Sequence, residues 1–183
     1  MNTNEEILIF LAVIGWVLGF TVHILSIAQI DVEEKVPSIW FLHIGIFIVW
    51  IPAILEMRKN EVLKALQKSG KLNDLKLKEH IRVFFKDTPK WIGYLAIAGF
   101  FYAVLNFFGV MIFQKGTPDI IDGKYVLHIQ GKIIKTLTDQ EYHRFIALKV
   151  RGASGHWIAF YGYAAAILYP FKRNMNEINQ HYK

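Results

Sequence analysis

Cysteine is absent from the 183 residues. Disulfides, thiolate metal centres and a cysteine nucleophile are therefore excluded. Proline is scarce, five residues in all. Pro52 and Pro170 lie near the ends of apolar runs, so no run is broken at mid-length as in discontinuous-helix transporters. No glycine-rich phosphate loop, His-Glu-x-x-His or Gly-x-Ser-x-Gly is present. Gly152-Ala-Ser-Gly155 mimics the last motif with the wrong spacing. Ser154 beside His156 reads as a helix cap rather than a nucleophile. No apolar run carries the central carboxylate that a proton relay needs.

What is present is apolar surface. Hydrophobic residues make up 54% of the chain and charged residues 20%, and the charge is blocked out rather than spread. Residues 7–30, 36–57, 91–113 and 152–171 form four apolar runs whose one Asp, Glu, Lys or Arg is Glu56, at the edge of the second. About 20 residues at about 1.5 Å each cross a hydrocarbon core of about 30 Å. A soluble fold would need far more chain to surround four such helices. The expected fold class is all-α integral membrane: a four-helix transmembrane bundle with a small extracytoplasmic β-hairpin plus helix. One membrane domain, 1–183, then comprises the four spans, a cytoplasmic loop at 58–90 and an extracytoplasmic cap at 114–151. The acidic Met-Asn-Thr-Asn-Glu-Glu start lacks the basic region of a signal peptide, so the first run is expected to stay as a helix.

Lysine and arginine set orientation. Residues 58–90 hold ten and those after Phe171 hold three, against one in 31–35 and seven in 114–151. Both termini are expected on the cytoplasmic side, and a bacterial cytoplasmic membrane fits best. The net charge of +6 then reflects loops facing anionic lipid, and no nucleic-acid partner is implied. In the cytoplasmic loop, Asn60 caps a helix over 61–69 and Asn73 one over 74–87, the second amphipathic and suited to a membrane surface. Thr88 caps the third span. In the outer segment, 124–129 and 132–137 form a hairpin about Gln130-Gly131. Thr138-Asp-Gln-Glu141 is a capping box that opens a helix to about Val150.

Three histidines, His23, His43 and His156, lie in the outer third of the first, second and fourth spans, with Asn106 at the same depth in the third. Small residues point these groups inward. Gly15 and Gly19 share a face with His23, Gly99 and Ala103 one with Asn106, and Gly155, Ala159 and Gly162 form a stripe beside His156. Ionisable groups inside a membrane are costly and suggest function. Neutral imidazoles on separate helices could hold zinc, copper or haem iron, with Asn106 completing the shell. His143, Arg144 and Arg151 would extend a polar path to the outer surface. The same residues read, at least as readily, as interhelical hydrogen-bonding groups. Two alternatives stand beside a metal or haem site. One is a non-catalytic accessory subunit packing on a membrane protein partner or its own copy, and the other an enzyme acting on a lipid or quinone. No motif requires catalysis.

Overall fold

A computed structural model describes residues 3–85 and 88–181, with backbone alone at 3–5, 77, 80–81 and 170–181. Its longest element is α7, Asp139–His181. Helices α1 (Thr3–Ile27), α3 (Phe41–Met57) and α6 (Lys90–Phe113) pack around it. Between α1 and α3 come a four-residue helix α2 (Val32–Lys35) and a 3-10 turn, Pro37–Trp40. At one end of the bundle, α4 (Glu61–Lys68) and α5 (Leu77–Phe84) join α3 to α6. At the other, β1 (Thr117–Ile121), β2 (Lys124–Ile129) and β3 (Lys132–Thr136) form an antiparallel meander.

Three helical segments, Glu6–Ile27, Pro37–Met57 and Lys90–Phe113, are long and apolar enough to cross a membrane. Their large side chains turn outward, among them Phe10, Phe41, Phe47, Leu105 and Ile112. The buried core centres on α7, where Val150, Trp157, Ala164 and Ala166 are fully covered, and takes in the inner faces of the other helices at Ala12, Val49 and Ala53. This is the reverse of a soluble bundle. Helices that face hydrocarbon must be apolar all round, whereas one wrapped by protein can carry tyrosine, serine and histidine. The fourth apolar run of the sequence is therefore not a helix of its own but the middle of α7.

That continuity corrects the expected break near Arg151. The glycines there do not start a helix; they let neighbours approach. A Cβ on Gly152 would lie 3.3 Å from Val110 Cγ1, and one on Gly155 2.6 Å from Asn106 Nδ2. On α1, Gly15 faces the ring of Tyr161 and Gly19 the Cβ of Trp157 at 3.1 Å; Gly162 receives the Trp16 indole. Ala103 and Ala159 are buried as well. Gly99 differs, with no atom near its absent side chain.

The hairpin about Gln130-Gly131 gains a third strand. Asp122-Gly123 and Gln130-Gly131 both have positive φ at each residue, the left-handed pairing that two-residue hairpin turns demand. Tyr125 of β2 stacks on Tyr142 of α7, centroids 4.4 Å apart. The capping box closes reciprocally, Glu141 N–H to Thr138 Oγ1 at 3.2 Å and Thr138 N–H to Glu141 Oε2 at 2.9 Å.

Asn60 caps α4 through Val62 and Leu63 N–H and donates to Val83 O, tying α4 to α5. Asn73 caps nothing, because it sits inside a 3-10 turn, Lys71–Asp74; Glu79 accepts the Lys76 N–H in its place. The end of the expected 74–87 helix, Lys86 and Asp87, lies outside the described residues. Thr88 does not cap α6 but donates to Ala166 O at 2.8 Å, fastening the start of α6 to α7.

Candidate functional site

Helices α1 and α6 both rest on α7 and leave a cleft between them. The cleft encloses about 680 Å³, within the usual range for ligand pockets. Val13, Trp16 and Phe20 form one wall, Leu95 and Gly99 the other, and Ile158, Gly162 and Ala165 the floor. Gly99 has open space because it belongs to this wall rather than to a helix contact. The lining runs from Ile9, Trp91 and Tyr169 at the α4–α5 end to His23, Ile27 and Tyr102 toward the sheet end.

His23 is almost fully buried, with both ring nitrogens engaged. Nδ1 lies 2.8 Å from Ser154 Oγ, and Nε2 meets the hydroxyl of Tyr102. Ser154 also reaches Arg151 O at 3.2 Å. A carbonyl can only accept, so Ser154 spends its single hydrogen there and accepts from His23 Nδ1–H. His23 Nε2 then carries no hydrogen and accepts from Tyr102. The direction of the chain follows: Tyr102 to His23, His23 to Ser154, Ser154 to Arg151 O. Every buried donor on this path is satisfied. Tyr102, which is partly exposed to the cleft, keeps only acceptor capacity.

Asn106 joins the same carbonyl. Its Nδ2 donates to Arg151 O at 3.0 Å and its Oδ1 accepts from Arg151 Nε at 3.1 Å. Two atoms of Arg151 are thus bound by one carboxamide, and α6 is locked to α7 beside the His23 chain.

His43 and His156 are placed elsewhere. His43 Nδ1 accepts from Trp157 Nε1 at 3.1 Å. His156 Nδ1 donates to Gly152 O one turn back in its own helix, its ring edge-on to Phe107. The three histidines therefore do not share a centre, because similar distance along three helices says nothing of angle around them. Near the sheet, His143 bonds Asp31 at 2.8 Å, while Arg144 is exposed. Sequence reasoning missed Tyr102 and took Ser154 for a cap. Tyr102 stands one turn before Asn106 on α6, and Ser154 one turn after Arg151 on α7. That i, i+4 and i, i+3 spacing was the available signal.

Comparison of the chain with family models, curated proteins and solved structures finds no match.

Proposed function

We propose that this chain is a four-span membrane protein, both termini cytoplasmic, whose lateral α1/α6 cleft binds a membrane-soluble amphiphile with a small hydroxyl-bearing head. Three apolar helices with outward hydrophobic faces support residence in a bilayer, and α7 supplies the fourth, protein-covered span. The observation that carries the binding reading is one polar chain, Tyr102–His23–Ser154, whose first two members line a cleft that is apolar apart from them, the Trp16 and Trp91 indoles and Tyr169. A long apolar tail fits the walls, and an O–H donor fits the one valence Tyr102 leaves open.

The ligand enters from the bilayer plane rather than from water, since the cleft opens between two lipid-facing helices. This reading favours binding or presentation of a lipid-like molecule over its chemical conversion. Ser154 is fully buried beneath His23 and spends its hydrogen on a backbone carbonyl, so it is not poised as a nucleophile. A shared metal or haem draws no support from His23, His43 and His156, whose mapped ring-nitrogen bonds go to separate partners.

The test is extraction of hydrophobic compounds from protein purified in mild detergent, followed by mass spectrometry. One hydroxyl-bearing amphiphile should be enriched over bulk lipid, and Tyr102→Phe, which keeps the ring and loses the oxygen, should retain much less. Identical extracts in bulk-lipid proportions from both proteins would overturn the reading.

A further inference from the structure

A second cluster lies at the sheet end, away from the cleft. Asp31 ends the turn after α1, Glu34 sits on α2, and His143 reaches them from α7, 112 residues along the chain. One ligand atom from each lies within 4.8 Å of the other two, and among the described residues this is the one such trio of histidine and carboxylates. His143 Nδ1 is 2.8 Å from Asp31 Oδ2 and 3.8 Å from Glu34 Oε2. Donors about 2.1 Å from a tetrahedral zinc ion stand about 3.4 Å apart, a value these two distances bracket.

The carboxylates around His143 are held on both sides of its ring. Asp31 is buried, and its Oδ1 is fixed by the Glu34 N–H at 2.9 Å, which leaves Oδ2 aimed at His143. The far nitrogen of His143, Nε2, faces Asp139 Oδ1 at 3.5 Å. A carboxylate behind the ligating ring fixes the tautomer and raises its basicity. Asp139 comes from outside the trio, and its nearness to Nε2 leaves Nδ1 to the two other carboxylates. Glu34 is exposed, so the fourth position opens to water.

We infer that Asp31, Glu34 and His143 form a binding site for a divalent transition cation of the zinc class, independent of the cleft. Two carboxylates and an imidazole match borderline cations, whereas magnesium and calcium prefer oxygen alone. The cation replaces the proton shared between His143 and Asp31, and so pins the turn after α1 to α7. Binding releases that proton and weakens as the pH falls.

The test uses the full chain, stripped with a chelator and titrated calorimetrically with zinc chloride in detergent. One zinc per chain should bind, with magnesium and calcium at equal concentration leaving the titration unchanged. Glu34→Gln alters an exposed side chain and should weaken zinc at least about tenfold, while His143→Gln should abolish the site. Failure of the chain to bind zinc at micromolar concentration would overturn the inference. So would unchanged affinity in both variants, or loss of binding in a His128→Gln control instead.

Discussion

Two glycines of similar appearance in the sequence should respond oppositely to the same substitution. Gly15 faces Tyr161, whose ring is buried and whose hydroxyl donates to Leu42 O at 2.8 Å. Gly45 of α3 closes on the same hydroxyl, so the ring is pinned along its length. A Cβ at position 15 would overlap three ring carbons. Relief requires α1 to move away from α7. Overpacking of this kind costs about 1–3 kcal/mol, or about 2–12 °C in melting temperature at about 2–4 °C per kcal/mol for a chain of this size. Gly99 meets nothing within 4 Å. Gly99→Ala adds a methyl facing the cleft and gains helix propensity worth up to about 1 kcal/mol. Thermal unfolding followed by tryptophan fluorescence in detergent should place Gly15→Ala several degrees below the native protein and Gly99→Ala level with it or above. Equal losses in the two variants would refute the packing argument.

Other outcomes follow from the polar contacts. Asn106→Leu removes the carboxamide that binds both the guanidinium and the carbonyl of Arg151, and should cost about 1–2 kcal/mol; an unchanged melting curve would contradict the role of that pair. The Asp31 hydrogen bond, with Glu34 and Asp139 nearby, raises the His143 pKa above its ordinary value against the opposing effect of burial. Stability from this contact is complete below the unfolded histidine value of about 6.5 and is lost as pH rises through the higher folded value. In protein stripped of metal with a chelator, the melting difference between native chain and His143→Gln should therefore shrink from about pH 6 to pH 9, and a constant difference would dismiss the contact as a source of pH dependence. Since the chain has no cysteine, single cysteines at Asn60 and Asp122 report sidedness directly. An impermeant maleimide applied to intact cells should label position 122 and spare position 60; the reverse pattern would invert the topology.

The three long apolar helices were legible because runs of that length and composition are distinctive, and residues 7–30, 36–57 and 91–113 map onto α1, the 3-10 turn with α3, and α6. The long α7 was not, because Gly152 and Gly155 look like a helix boundary in sequence, whereas they act as contact points for Val110 and Asn106. β1 escaped notice although Asp122-Gly123 is a strong hairpin signal; it carries Pro118, which an edge strand tolerates. His23 was recognisable as a buried polar group on a small-residue face. Its partners were not, since Ser154 and Tyr102 are 131 and 79 residues away and only the rotation of three helices brings them together. His43 and His156 illustrate the converse, similarly placed along their apolar runs and turned toward different neighbours.

The most direct test of the cleft is native mass spectrometry of three proteins released from mild detergent. Gly99→Leu fills the cleft from α6, while Gly109→Leu adds the same side chain where nothing lies within 4 Å and outside the lining of this cleft. The native chain and Gly109→Leu should carry one bound amphiphile of defined mass, and Gly99→Leu should fly without it. Retention of the same adduct by Gly99→Leu, or its absence from all three, would contradict the account.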